Sequence, residues 1–306
     1  MRSYLKMNRR RFLALTGGLI SSLALPCNVF AAMQITKPIP KTGEQLPVIG
    51  MGTSRTFDYG GDTEMLQRLQ QVMQTFFDMG GGMIDSSPMY GDAQQVIGQL
   101  LPNVKGSKKL FAATKVWIDG KEEGIEQMEA SRRLWGIKRF DLMQIHNLVD
   151  WETHLETLKH MKSDGKIRYI GITTSHGRFH QELQKILKRH EFDFLQLTYN
   201  IGNHDAEPLL DIARDRGIAV IVNRPYQRGD LFRRVKGKPL PAWAKDLDCT
   251  SWGQYFLKYA VSHPAVNCAI PATTKAKHMK DNMLAARGRL PSASQRDKML
   301  KYFESL

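Results

Sequence analysis

Four ionisable side chains, Asp85, Tyr90, Lys115 and His146, stand in order along the chain, each at or just past the end of a short apolar run. Asp85 closes Gly82-Met83-Ile84, and Tyr90 follows on the turn Ser86-Ser87-Pro88-Met89. Lys115 closes Leu110-Phe111-Ala112-Ala113-Thr114, and His146 closes Leu142-Met143-Gln144-Ile145. A carboxylate, a phenol, an amine and an imidazole brought together make a proton-transfer site, so the pattern points to an enzyme.

Something must gather these groups. The runs are strand-length, and between most of them lie segments with apolar residues at helical spacing, such as Met65/Leu66/Leu69/Val72/Met73/Phe76/Phe77 and Leu183/Ile186/Leu187. That alternation predicts parallel strands joined by crossover helices. Candidate strands are 48–52, 82–85, 110–115, 141–146, 167–173, 192–196, 219–223 and 266–271. Gly80 to Gly82, Gly165 and Gly217 stop three of the helices, because glycine takes the left-handed conformation at a helix end. Eight strand–helix units in about 270 residues are the size of an α/β protein of the (β/α)8 TIM barrel type, whose strand ends converge on one mouth. A doubly wound sheet is the alternative, weakened because no Gly-x-Gly-x-x-Gly follows the first strand. Residues 33–47, with Pro38, Pro40 and Gly43, read as an N-terminal hairpin capping the barrel bottom, and 32–306 as one domain.

With 306 residues, 42% hydrophobic and 24% charged, the chain has the composition of a soluble globular protein with a sizeable core. The formal net charge is +14, but five of the cations (Arg2, Lys6, Arg9, Arg10 and Arg11) fall in residues 1–31, which contain no acid. The remaining basic residues are dispersed, which argues against a nucleic-acid partner and suits a ligand bearing phosphate or carboxylate. Asn8-Arg9-Arg10-Arg11-Phe12-Leu13, an apolar stretch to Leu25 and then Val29-Phe30-Ala31 describe a secretory signal. Its Arg-Arg-x-Phe-Leu core resembles the twin-arginine export signal, and its apolar zone is short for a membrane span. The expectation is cleavage after Ala31, with an uncleaved anchor as the alternative. The mature chain is then periplasmic, exported folded by the twin-arginine machinery with its cofactor in place, and without stable membrane insertion. Cys249 and Cys268 remain after cleavage; Cys268, in an apolar strand-like run, reads as a buried thiol, and no disulfide is expected.

Segments along nearly the whole chain resemble the aldo/keto reductase family. They are Leu-Pro-Val-Ile-Gly-Met-Gly-Thr (46–53), Ile-Asp-Ser-Ser-Pro-Met-Tyr-Gly (84–91), Ala-Thr-Lys-Val-Trp (113–117) and Phe-Asp-Leu-Met-Gln-Ile-His (140–146). Gly-Lys-Ile-Arg-Tyr-Ile-Gly-Ile (165–172), Ile-Pro-Ala-Thr-Thr (270–274) and Lys-Asp-Asn (280–282) continue the likeness. The resemblance implies NADP(H)-dependent reduction of a small aldehyde or ketone by a chain expected to act as a monomer. It assigns Tyr90 as proton donor, Lys115 as the cation favouring its phenolate, Asp85 as the holder of Lys115, and His146 as the donor that orients the carbonyl oxygen. For the cofactor it implies Gly52, Thr53, Asp85, Thr173, Thr174, Gln196, Asn223, Arg224, Pro225, Thr273, Thr274, Lys275, His278 and Asn282. Asn223 stands where many members place an aromatic that stacks on nicotinamide, so stacking would fall to Tyr226. Ala272 and His278 replace a lysine and an arginine that contact the adenosine 2′-phosphate, which leaves NAD(H) as an alternative cofactor. Substrate contacts are expected from Trp117, Asn147 and Tyr226, with His176 as a weaker candidate.

His154 and His160 read as solvated residues of a surface helix, and Trp135 and Trp151 as packing. The short segment 147–150 after His146 implies an open mouth. No metal is expected: the first strand ends in Gly-Met-Gly-Thr without the His pair of a metal-dependent barrel hydrolase. The competing function is an exported barrel that keeps its nicotinamide cofactor as a redox sensor or binding protein.

Overall fold

The computed structural model describes residues 34–306 except residue 176. The export signal and His176 therefore lie outside the described residues. The chain opens with a hairpin of β1 (Thr36–Pro38) and β2 (Gln45–Pro47), antiparallel to each other. Eight parallel strands follow: β3 (Met51–Gly52), β4 (Met83–Asp85), β5 (Phe111–Val116), β6 (Phe140–His146), β7 (Ile167–Thr173), β8 (Phe194–Thr198), β9 (Ala219–Asn223) and β10 (Val266–Ala269). Each strand pairs with its sequence neighbour, and an Ile49–Ala269 bridge joins the last to the first. The result is the expected (β/α)8 TIM barrel. The first strand is shorter than its apolar pattern, because residues 48–50 meet β10 through that bridge and through single backbone hydrogen bonds, and the last strand ends at Ala269, two residues before its expected limit.

The helices of the outer layer are α1 (Thr63–Asp78), α2 (Ala93–Leu100), α3 (Lys121–Trp135), α4 (Trp151–Ser163), α5 (His180–Arg189), α6 (Glu207–Asp215), α7 (Asp230–Arg234), α8 (Trp252–Val261), α9 (Ala276–Leu284) and α10 (Ala293–Glu304). Helix α1 starts where Asp62 accepts the Met65 amide, and it buries Leu69, Val72, Met73, Phe76 and Phe77, the stripe legible in the sequence. Helix α4 departs from expectation. His154 is fully buried, its Nε2 2.6 Å from the Ile118 carbonyl, because it shares a face with Leu155, Leu158 and Met161. His160 is exposed as expected.

The two-residue period of the strands sorts the barrel interior by height. Met83, Phe111, Ala113, Leu142, Tyr169, Phe194, Ala219, Ile221 and Cys268 form an apolar lower core with Ile39 and Leu46 of the hairpin. The hairpin is therefore the bottom cap. Lys37 Nζ fastens it by donating to the carbonyls of Val261, His263 and Val266 at 2.6–2.9 Å. Glu44 fastens its other side, accepting from Arg168 and from the Tyr169 hydroxyl. Cys249 and Cys268 are both buried and free. Trp135 packs against Phe140 and Trp151 against His190.

Candidate active site

One strand period above the apolar layer the inward positions turn polar. Asp85, Lys115, Gln144, His146, Thr173 and Gln196 are all buried and lie in adjacent registers of β4 to β8. Their convergence follows from parallel strands ending at the same height. Lys115 Nζ donates to Asp85 Oδ2 at 2.6 Å and to the Ser86 carbonyl at 2.7 Å. The other carboxylate oxygen of Asp85 accepts from Gln144 Nε2 and Gln196 Nε2, both at 2.9 Å. Thr53 Oγ1 donates to the Asp85 carbonyl at 2.9 Å. A buried ion pair so fully hydrogen-bonded is held in one geometry, and removing one partner would cost about 3–5 kcal/mol. Gly52 beneath it has no alternative, because a Cβ there would stand 2.7 Å from the Ile270 carbonyl oxygen.

Tyr90 presents its ring to this pair, with Lys115 Nζ 5.2 Å from the ring centroid, and packs edge-on to His146 at 6.0 Å. Burial raises the Tyr90 pKa. Lys115 and Arg224 oppose that shift and Asp85 adds to it, leaving the phenol above its ordinary range. Lys115 favours the phenolate, the sign expected from the sequence, but desolvation is the larger cause and the net shift is upward. Burial alone would depress Lys115, but Asp85 and Tyr90 overcome it and hold the ammonium charged. His146 is pushed down to about 2 by burial and by Lys115, so its imidazole is neutral. Its Nδ1 lies 2.9 Å from Ser87 Oγ.

Asp85, Tyr90, His146, Thr173 and Gln196 line a cavity of about 740 Å³, in the range of small-ligand sites. Of the residues expected to line it, Gly52, Thr53, Asp85, Tyr90, His146, Asn147, Thr173, Gln196, Asn223, Arg224, Pro225 and Tyr226 do so. Lys115 lies behind Tyr90 and Asp85. Within the site, Gln196 Nε2 donates to Asp85 and its Oε1 accepts from Thr173. Asn147 Oδ1 is a buried acceptor with no partner among the described residues, and it belongs to the cavity wall. Asn223 accepts from Thr198 at 2.6 Å. The Tyr226 hydroxyl donates to Asn282 Oδ1 at 2.7 Å, which ties the segment after β9 to α9.

Thr273, Thr274, Lys275, His278 and Asn282 stand at the start of α9 and along it, outside the cavity lining, which stops at Ala272. Thr174 also lies outside the lining, its amide donating to the Gln196 carbonyl. Trp117 is exposed and stands 6.4 Å from the His146 ring, beyond the cavity wall. Gln144 was not singled out in the sequence, although its position two residues before His146 puts it on the same strand face. Ser87, Arg55 and Arg228 were likewise missed. Among the described residues no group of three or more His, Cys, Asp or Glu side chains could hold a metal ion.

The profile described as the aldo/keto reductase family matches residues 48–297. Methylglyoxal reductase YeaE of Escherichia coli is 25% identical over 256 residues, covering 81% of this chain and 88% of that protein. Aldo-keto reductase AKR11C1 from Bacillus halodurans, in its holo form, superposes with a TM-score of 0.72 at 20% identity, covering 89% of this chain and 96% of that one. An aldo/keto reductase from Klebsiella pneumoniae in complex with NADP and acetate gives 0.71 at 20% identity, with the same coverage of both chains.

Proposed function

Because the chain belongs to the aldo/keto reductase family, we propose that it reduces an aldehyde or ketone to an alcohol with NADP(H), Tyr90 giving the proton. The observation that carries this reading is the meeting of Tyr90, Asp85 and His146 in the lining of one cavity, with Lys115 behind them bonded to Asp85. The cavity residues fit the cofactor. The unpartnered Oδ1 of Asn147 is an acceptor suited to the N–H of a carboxamide, and Asn223 lies on the same lining. The Klebsiella pneumoniae relative's complex with NADP supports the same cofactor here. When bound, the nicotinamide supplies the hydride for the carbonyl carbon. The chain's own groups do the rest. Tyr90 is kept as a neutral phenol by burial and holds at its hydroxyl the proton that the new alkoxide takes. Lys115, charged and anchored by Asp85, stabilises the phenolate left behind. His146, neutral, offers an N–H to the carbonyl oxygen and orients it.

We also propose that residues 1–31 direct export by the twin-arginine route, so that the mature chain works in the periplasm. The name of the Escherichia coli relative makes methylglyoxal a first substrate to assay. Consumption of NADPH by the purified chain with methylglyoxal and other small aldehydes tests the proposal. Absence of turnover with every carbonyl, together with a nucleotide that cannot be exchanged, would instead favour a cofactor-retaining sensor.

A further inference from the structure

Gln144 is fully buried within β6 and takes no part in the cavity lining, yet both polar atoms of its amide are engaged. An amide side chain has N–H groups to give and an oxygen that accepts. Gln144 Nε2 donates to Asp85 Oδ1 at 2.9 Å and reaches the Thr114 carbonyl at 3.5 Å, while its Oε1 accepts from Gln196 Nε2 at 3.2 Å. Gln196 Nε2 donates to the same Asp85 oxygen, at 2.9 Å. Asp85, Gln144 and Gln196 thus close a triangle in which each member bonds to the other two.

The triangle has one satisfactory arrangement. Turning the Gln144 amide over would set its oxygen against the Asp85 carboxylate and its N–H groups against those of Gln196, among buried groups that cannot turn to water instead. With Gln144 fixed, Gln196 Nε2 faces two acceptors, Asp85 Oδ1 and Gln144 Oε1. Its Oε1 must then point the other way, where Thr173 Oγ1 lies at 3.3 Å and Asn223 Nδ2 at 3.5 Å, both on residues of the cavity lining. Gln144 therefore decides which end of the Gln196 amide the cavity sees.

The neighbouring strand makes room for this. Gly171 of β7 stands opposite Gln144 in the register, and a Cβ there would lie 2.7 Å from Gln144 Cγ. Gly171 sits inside the strand without the positive φ that would by itself call for glycine. What the position requires is the absence of a side chain, and the group that takes up the space is Gln144.

We infer that Gln144 is a positioning residue of this site. From outside the cavity it keeps Asp85 turned toward Lys115, and it presents Gln196 Oε1 as an acceptor for the N–H of the nicotinamide carboxamide. This inference rests on the reading of the chain as an NADP(H)-dependent reductase and adds a residue that serves both the proton-donor side and the cofactor side.

The test reads binding apart from turnover. Fluorescence titration gives Kd for NADPH and for ADP-ribose 2′-phosphate, the same nucleotide without its nicotinamide. In Gln144→Leu, which fills similar space without hydrogen bonds, Kd for NADPH should rise about tenfold, the size of one lost hydrogen bond, and Kd for the fragment should not move. The kcat for methylglyoxal should fall about tenfold as well. Gln144→Glu should restore both at pH 5: burial and Asp85 raise its carboxyl pKa, and the protonated form offers an O–H to Asp85 and an oxygen to Gln196. Gly171→Ala, which displaces Gln144 without entering the cavity, should reproduce the selective loss of NADPH. Unchanged NADPH affinity in folded Gln144→Leu overturns the inference. Equal weakening of NADPH and the fragment also overturns it, and leaves Gln144 as scaffold alone. So does Gln144→Glu as weak as Gln144→Leu at pH 5. A parent that binds NADPH but reduces no carbonyl overturns the reductase reading, and the binding comparison still decides the part played by Gln144.

Discussion

Ser87 Oγ lies 2.9 Å from Nδ1 of His146 and at the same time accepts the Met89 amide at 3.2 Å. A serine hydroxyl has one proton to give. With a lone pair of Oγ taken by Met89, the arrangement that satisfies both buried groups has Ser87 donating to Nδ1. The imidazole proton then sits on Nε2, the nitrogen left free to meet a carbonyl oxygen. Ser87→Ala is expected to lower kcat by about tenfold, the equivalent of about 1.4 kcal/mol. Nitrogen NMR of His146 should show loss of the single Nε2–H tautomer. Unchanged turnover with an unchanged tautomer would remove Ser87 from this role.

Tyr90→Phe deletes the proposed proton donor and little else. Reduction should fall by roughly 10²–10⁴, the span of general acid catalysis. NADPH affinity, read by fluorescence titration, should stay nearly intact. Reduction within tenfold of the parent would assign the proton to another group.

The pH dependence of reduction has a predictable sign. As the proposed proton donor Tyr90 must be protonated to act, and its pKa is raised above 10.0, so activity should be present at neutral pH and be lost only as pH climbs through that raised value. His146, depressed to about 2, contributes no step near neutrality. A kcat profile from pH 5 to 9 should therefore be flat. A limb between pH 6 and 7 would mean that the imidazole titrates there and is not held neutral.

Nucleotide choice should turn on Ala272, where the cavity wall ends, and on residues beyond it. Ala272 offers no charge to a 2′-phosphate, and His278 is held below its ordinary 6.5 by burial and by Lys275 and Lys277, against Asp281. A depressed imidazole is neutral at pH 7, and its cationic form appears only as pH falls below that ordinary value. NADPH should be preferred over NADH by about ten- to a hundredfold near pH 7, or roughly 1.4–2.8 kcal/mol. The margin should widen only at pH below 6.5. Titrating both nucleotides at pH 5.5, 7 and 8 checks this; a preference of several thousandfold independent of pH would place the phosphate elsewhere.

The proposed export address depends on its paired arginines. Replacing Arg9 and Arg10 together by lysine should strand the precursor in the cytoplasm, as read by cell fractionation. Normal export of the double variant would contradict the twin-arginine reading.

Much of the barrel was legible because each strand is bounded by residues of opposite character. Ile167–Thr173 and Ala219–Asn223 were found with their own limits, since apolar runs there end abruptly at polar turns. Asp85, Lys115 and His146 were legible for the same reason: an ionisable residue at the end of an apolar strand has few other places to point. What escaped was anything set by depth or by partner. His154 looked solvated because its neighbours Glu152 and Glu156 are charged, yet the 3.6-residue period with Leu158 and Met161 turns it inward. Gln196 was readable as a polar end-of-strand residue, but not that Asp85 already occupies it. Lys275 and His278 lie close to Ala272 in sequence, and only the geometry shows that the cavity wall stops short of them.

The Lys37 ammonium reaches three carbonyls, the nearest in sequence 224 positions away, and the Ile49–Ala269 bridge seals the barrel beside it. Both fastenings join residues 37–49 to β10 or the segment just before it. During synthesis β3 can pair with β4 on one edge, but the Lys37 contacts and the Ile49–Ala269 bridge must wait until the last strand has been made, and contacts of such separation form late. A chain threaded outward as it was made would be parted from its own closing strand, whereas one that finishes synthesis first has both sides of the seam in the same compartment.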